Sequence, residues 1–199
     1  FFFLASRSSA SSAEVPVTGG LSPKIQQLIG EMEQIDKDLM DASTPETLAP
    51  LNAKRADVLE QLAAAADSEE DRLIWIRQLA DTVSAAAQSG SYPDGLKRLH
   101  AIGRAIPKER AALQAYAVYQ TIGTDYAIRQ TPDADFAKVQ KWYMEALTEF
   151  IDRYPRTNEA AQAMLHMALS KEFEDKEREA LTYYKRVAKI AAAFVGAKS

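Results

Sequence analysis

The amino-acid sequence predicts an all-α fold of about eight antiparallel helices, arranged as stacked hairpins in an α-α superhelix. Three observations support this prediction. From residue 21 onward, apolar residues recur at intervals of three and four, which is the spacing of one helix face. Helix-starting and helix-breaking signals also recur at short intervals. No segment shows the sustained alternation of β-branched and polar residues that is typical of a strand.

The first two helices each begin at a hydroxyl residue followed by proline. Ser22-Pro23 and Thr44-Pro45 combine an N-cap with proline at the first helical position, where no N–H is needed. Pro50 lies near the first turns of the second helix, where proline is tolerated. The two apolar stripes are Ile25, Leu28, Ile29, Met32, Ile35 and Leu39, followed by Leu51, Val58, Leu59 and Leu62.

Polar segments mark the limits of the third and fourth helices. Ser68, with Asp71 three residues later, resembles a capping box and opens the third helix. The segment SGSYPDG at 89–95 combines glycine, serine, proline and aspartate, so it is predicted to end this helix. A shorter fourth helix follows it.

The fifth and sixth helices are separated by a second breaker. Pro107 is predicted to begin the fifth helix, which reaches about Gln130. The segment TPDAD at 131–135 interrupts the pattern. A sixth, amphipathic helix is predicted from Phe136 to about Arg153.

The seventh and eighth helices show the clearest hairpin pattern. They follow YPRTN at 154–158, and the charged segment KEFEDKEREA at 171–180 contains the turn between them. Ala168 and Ala180 are small enough for the two helices to approach closely, while the Tyr184 ring fills the neighbouring gap. Alternating charges in such a turn are typical of a solvated corner rather than of paired catalytic carboxylates.

One helical domain is expected over residues 21–196, with residues 1–20 excluded from it. Its four hairpins are predicted at about 22–66, 69–105, 107–153 and 157–190. Helices joined by short links cannot reach distant partners, so they pack as antiparallel neighbours. Because one hairpin cannot bury its whole apolar face, the hairpins stack and share a core.

The composition argues against several classes of protein. A net charge of -4 and a pI near 5.3 give no basic stripe of the kind that binds nucleic acid. No window approaches the roughly 18 unbroken apolar residues of a membrane-spanning helix. The 199 residues contain no cysteine, which excludes disulfides, thiolate nucleophiles and cysteine-based zinc sites within them.

The first residues bear on localisation. In FFFLASRSSASSAEVPVTGG, residues 1–20, a short apolar run precedes small residues. Ser11-Ser12-Ala13 matches the small-x-small pattern of a signal-peptidase site. We therefore expect an exported protein of the periplasm or cell envelope, with residues 1–20 as a signal-peptide remnant. The alternative for this segment is a disordered tail or a remnant of cloning.

The last hairpin resembles the tetratricopeptide repeat. The family's core positions correspond to Met164, Met167 and Ala168 in the first helix and to Ala180, Tyr184 and Val187 in the second. Pro155 stands where the proline that closes a preceding repeat is usual. Lys171 replaces a usual aromatic residue, and Ala192 replaces a usual terminal proline. The resemblance implies a right-handed, tetratricopeptide-like stack of hairpins.

Three longer stretches, 51–99, 125–155 and 158–187, look like the helical N-terminal region of exported bacterial redoxin proteins. In that family the helical region precedes a thioredoxin-like domain of the TlpA or AhpC/TSA kind. The resemblance implies that the partner is a protein or peptide, including a C-terminal redoxin domain of the same polypeptide. Redoxin chemistry needs a cysteine thiolate, so no redox residue carries over to this chain.

The sequence leaves three functions open. The first is a non-catalytic protein-interaction or spacer module of an exported bacterial protein, with no enzymatic activity of its own. The second is part of a thiol-disulfide oxidoreductase or peroxidase whose catalytic domain lies outside these residues. The third is a self-associating helical scaffold. None of them calls for a cofactor, and neither nucleic acid nor a membrane span is expected.

No catalytic, cofactor-binding or metal-binding residue is predicted. His100 and His166 lie on different helices, and neither has a histidine or carboxylate three or four residues further along the chain to form a metal pair. Ordinary surface or partly buried histidines are expected. Most aromatic residues are expected between the hairpins. Trp142 and Tyr183 lie off the main stripes of their helices, so they are the predicted partner-contact residues.

Overall fold

The computed structural model describes residues 22–196, with side chains to residue 193, and confirms the all-α fold class. Within this range the chain forms eight α-helices and no strand. The helices are α1 (Pro23–Asp41), α2 (Pro45–Ala65), α3 (Glu69–Gln88), α4 (Gly95–Ala105), α5 (Ala111–Arg129), α6 (Phe136–Arg153), α7 (Asn158–Phe173) and α8 (Glu177–Gly196). None of these described helices has both the length and the hydropathy needed to span a membrane. The expected signal-peptide remnant or tail, residues 1–20, lies outside the described residues.

Local capping chemistry sets the start of five helices. The side-chain oxygens of Ser22, Thr44, Ser68, Asp135 and Thr157 accept hydrogen bonds from backbone N–H groups three residues further on. Thr44 and Thr47 each accept the other's backbone N–H, which satisfies two donors that the helix itself leaves unpaired. The helix starts predicted at Ser22, Thr44 and Ser68 are confirmed.

The fifth helix begins at Ala111 rather than at Pro107, so its predicted start is wrong. Lys108–Arg110 form a single 3₁₀ turn, closed by a hydrogen bond of 3.0 Å from the Arg110 N–H to the Pro107 carbonyl. Arg110 then leaves the helical backbone region, with φ -97° and ψ 48°. Its guanidinium lies 2.8 Å from the Glu69 carboxylate at the start of α3. The tight turn and this ion pair separate Pro107 from the regular helix.

Helix α5 lies between two clusters of buried apolar side chains. The first cluster fills the space among α1–α4 and meets α5 at Leu113 and Ala117. The second lies among α5, α6 and α7 and meets α5 at Ala115 and Tyr126. A helix that is apolar on nearly all sides must be covered on nearly all sides. Helix α5 therefore joins the two halves of the fold.

Each helix packs against its neighbour in sequence, which agrees with hairpins joined by short links. Helix α3 also packs against α5, because α4 has only 11 residues and leaves part of α3 uncovered. The corner between α3 and α4 is tight. A Cβ added to Gly95 would stand 2.7 Å from the Cβ of Ala87, so glycine lets α4 start directly against α3.

The last hairpin contains the alanines at which a close approach was predicted. Ala168 of α7 and Ala180 of α8 are both buried. The turn at residues 174–176 falls in the predicted charged segment, and Asp175 adopts a left-handed φ of 56°, which aspartate tolerates better than most residues do. All three turn residues are exposed, which confirms the predicted solvated corner.

Candidate partner-binding groove

A groove of about 880 Å³ lies between α6 and the turn end of the α7–α8 hairpin. Ligand-binding pockets typically have volumes of roughly 300–1,000 Å³, so the groove is large enough to take several side chains of a bound segment. The groove is open to solvent, as a binding site for an extended or helical peptide requires. Its apolar lining comes from Phe136, Ala137, Met144, Met167 and Tyr183.

The N-terminus of α6 places Phe136 at the edge of this groove. The Asp135 side chain caps α6 by accepting a hydrogen bond of 3.2 Å from the Lys138 N–H. Phe136 is thereby fixed at the first helical position, where its side chain is 64% exposed. Two turns further along the same helix, Met144 also lines the groove. Methionine side chains adapt to different apolar surfaces, so this lining suits a partner of variable shape.

Charged groups form the rim at the hairpin turn. The Glu174 carboxylate lies 2.7 Å from Lys176 Nζ and 2.9 Å from Lys171 Nζ. Hydrogen bonds from Lys176 and then Lys171 lower the pKa of Glu174 to about 2. Lys171 also lies 3.7 Å from Glu179 at the start of α8. This exposed network joins the turn to both helices of the hairpin beside the groove, and each of its pairs contributes little free energy individually.

The structure places the two predicted contact residues in different surroundings. Tyr183 lines the groove and is half-buried against the second core cluster. Trp142 is also half-buried but lies outside the groove lining, with the Arg129 guanidinium 4.2 Å from its ring centroid. Such a cation–π contact joins α5 to α6 and occupies one face of the indole.

The sequence pattern missed Phe136 and Met144. Phe136 lies seven residues before buried Tyr143, so helix periodicity groups it with the buried stripe of α6 and gives no sign that it is exposed. Met144 follows buried Tyr143 and is only partly covered. Whether such residues form a groove depends on how α6 sits against α7 and α8, and helix periodicity does not determine that.

An aromatic cluster lies among helices α5, α6 and α7. The Tyr126 and Tyr143 rings are stacked, with centroids 3.9 Å apart, and the His166 ring meets Tyr143 edge-on at 6.1 Å. Burial raises the pKa of Tyr143 and lowers the pKa of His166, because it disfavours the charged form of each. The packed helices therefore favour the neutral form of the His166 ring.

A polar cluster away from the groove joins α3 to α5. Asp81 accepts hydrogen bonds from the Tyr116 hydroxyl and, at 2.5 Å, from Gln120 Nε2. The Arg77 guanidinium lies 5.5 Å from the Tyr116 ring centroid. Burial raises the pKa of Asp81, and the two hydrogen bonds oppose this shift. Since these groups contact one another across the interface, the cluster ties the two helices together.

Among residues 22–196, no group of three or more histidine and carboxylate side chains is arranged to hold a metal ion. His100 is exposed on α4, whereas His166 is half-buried on α7. Comparison of the chain with family models, curated proteins and solved structures gave no match.

Proposed function

We propose that this chain is a non-catalytic protein-interaction module that holds a peptide segment in the groove between α6 and the α7–α8 hairpin. The groove itself carries the proposal, because it combines an open shape with an apolar lining and a charged rim. Phe136 at 64% exposure is a large apolar side chain that a bound segment would cover. Peptide-binding grooves take their affinity from such anchors, while polar rims set the register.

An amphipathic helix is the partner that fits this groove best. Its apolar face would contact Phe136, Met144 and Tyr183, which lie on two different helices. Lys141 and Glu145 of α6 and the Lys171–Glu174 pair at the turn offer charges of both signs along the rim. Mixed charge of this kind favours orientation of the partner more than strong general attraction.

The redoxin association extends this proposal to a larger polypeptide. It is supported by the three stretches that resemble the helical region of exported bacterial redoxin proteins. In this reading the helical stack is a spacer that positions a thioredoxin-like domain, and the groove binds a segment of that domain or of its linker. Export is supported by the small-residue pattern within residues 1–20.

A selection experiment tests the groove. A library of displayed helical peptides is selected on the 199-residue chain, and each binder is then measured against Phe136→Glu/Met144→Glu by fluorescence anisotropy. The matched control is Met40→Glu, which alters a side chain on α1 that is 84% exposed. We expect the groove variant to bind at least about tenfold more weakly, a loss of about 1.4 kcal/mol. Equal binding to all three proteins would overturn the proposal.

The proposed association with a redoxin domain is tested separately, by the coding sequence that follows Ser199. The coding sequence beyond Ser199 should continue into a βαβ pattern with CxxC or with a single peroxidatic cysteine. A stop codon immediately after Ser199 would contradict this part and leave the groove proposal intact. The distinction matters because the groove can serve either an attached domain or a separate protein.

A further inference from the structure

The outer face of the α7–α8 hairpin carries a second apolar surface, separate from the groove. Leu165, Leu169 and Phe173 recur every four residues, so they share one side of α7, and all three are exposed. The opposite side of α7 carries the buried residues Ala160, Ala163, Met164, Met167 and Ala168. Helix α7 is therefore apolar on two sides, one of which is buried, whereas Leu165 and Leu169 on the other are exposed.

Helix α8 continues this surface. The hairpin turn is centred on Asp175, so Leu169 and Leu181, six residues before and after it, lie at the same level of the antiparallel pair. Leu169 is 49% exposed and Leu181 is 51% exposed. Glu172, one turn after Leu169, lines a pocket together with Leu181, which places both leucines on the same outer face.

Carboxylates are concentrated at the turn end of this outer face, and lysines follow towards its other end. A pocket of about 510 Å³ at the turn end is lined by the carboxylates of Glu172, Asp175 and Glu177 and by no cation. Lys185 and Lys189 follow Leu181 at four-residue intervals and are exposed on the same side of α8. At four-residue intervals along α8 the order is thus acid at 177, leucine at 181 and lysines at 185 and 189, while Arg178 lies three residues before Leu181.

We propose that this outer face pairs with the same face of a second copy of the chain, about a two-fold axis that passes near Leu169 and Leu181. A two-fold axis reverses the direction of the hairpin, so it sets the acidic end of one copy against the basic end of the other. Glu177 lies four residues before Leu181 and Lys185 four residues after it, and so the two face each other across the axis. The cation-free acidic pocket then receives the lysines of the second copy, while the leucines lose their contact with water.

This inference goes beyond the proposed function, because it uses a face that the groove does not include. The first test is analytical ultracentrifugation of the 199-residue chain from about 1 µM to about 1 mM, which covers weak as well as moderate affinities. We expect a species of twice the 22.0 kDa chain mass to form with rising concentration. Leu169→Glu/Leu181→Glu should remain monomeric, and Met40→Glu should associate like the unaltered chain. An unaltered chain that stays monomeric up to about 1 mM would overturn the proposal.

Charge reversal provides a second test that does not depend on the leucines. Glu172→Lys/Glu177→Lys leaves Asp175 in the pocket lining but makes the outer face predominantly basic, and Lys185→Glu/Lys189→Glu makes it predominantly acidic. Each variant alone should associate at least about tenfold more weakly, since like charges then meet across the axis. An equimolar mixture should form a heterodimer, because both meeting points become attractive again. Circular dichroism checks that each variant is folded, and a mixture of folded variants that stays monomeric would contradict the two-fold arrangement.

Discussion

The hydroxyl groups of Ser84 and Thr124 share a hydrogen bond of 2.6 Å inside the contact between α3 and α5. Both residues are buried, and Gln88 Nε2 donates a further hydrogen bond of 2.9 Å to the Ser84 oxygen. A buried hydroxyl left without its partner costs more free energy than an intact pair contributes. This pair therefore fixes the position of the central helix α5 along α3.

Removing one hydroxyl should destabilise the fold. Thr124→Val keeps the shape of the side chain and removes the hydrogen bond between Thr124 and Ser84, while the bond from Gln88 to Ser84 remains, so the free energy of unfolding should fall by about 1–3 kcal/mol. Ser84→Ala/Thr124→Val should recover part of the loss. Urea denaturation of both single variants, the double variant and the unaltered chain measures the coupling. Exposed Thr148→Val is the control, expected within about 0.5 kcal/mol, and a coupling of zero would contradict the role of the pair.

Replacement of Gly95 and of Gly30 by alanine should change the free energy of unfolding in opposite directions. At Gly95 the new Cβ meets the Ala87 Cβ at 2.7 Å, so α3 and α4 must move apart, and we expect a loss of about 1–3 kcal/mol in the free energy of unfolding. At Gly30, inside α1, nothing lies within 4 Å of the added Cβ. Alanine favours the helix there, which should stabilise the protein by up to about 1 kcal/mol. Thermal unfolding of both variants checks the signs, and equal shifts would show that the corner is not tight.

One arginine links the first three helices. Arg55 of α2 donates to Asp36 of α1 at 2.6 Å through Nε and to Thr82 of α3 at 2.6 Å through Nη1. A lysine donates from a single nitrogen and has no planar fork, so Arg55→Lys cannot reproduce the two separate contacts that Nε and Nη1 make. We expect a loss of about 1–2 kcal/mol in the free energy of unfolding, since both contacts are partly buried. Arg178→Lys, at an exposed position on α8, is the control, and similar effects at both positions would refute the link.

The helix starts at Ser22, Thr44 and Ser68 were predictable because capping depends on residues within one turn. The start at Pro107 was not, since the 3₁₀ turn there accompanies an ion pair between Arg110 and Glu69 on another helix. Local chemistry thus determines a helix boundary only where no distant contact competes with it.

The residues of the groove and of the outer face were less predictable from the sequence than the helix starts were. Tyr183 was identified from its position off the stripe of α8, and it does line the groove. Trp142 met the same criterion, yet Arg129 covers one of its faces across the α5–α6 link. Phe136 and the Leu169–Leu181 surface depend on which helix faces stay uncovered after packing. That property arises from the arrangement of all eight described helices and cannot be deduced from one helix at a time.

A histidine in the aromatic cluster should make stability depend on pH. Burial against Tyr143 lowers the pKa of His166 below its ordinary value of 6.5. The unfolded chain therefore binds a proton at His166 more readily than the folded chain does. The contribution of His166 to the free energy of unfolding is fully present above pH 6.5 and falls as the pH drops through 6.5. It levels off below the folded-state pKa of His166.

Replacement of His166 isolates this contribution from those of the carboxylates. Urea denaturation between about pH 7.5 and pH 5 should show a steeper loss of stability for the unaltered chain than for His166→Gln, because the variant has no proton to gain at that position. His100→Gln, at an exposed site on α4, should keep the steeper slope of the unaltered chain. The difference between the two histidine variants should vanish above about pH 7.5 once their constant offsets are subtracted. Parallel pH profiles for all three proteins would mean that His166 binds its proton equally well in the folded and unfolded states, contrary to its burial beside Tyr143.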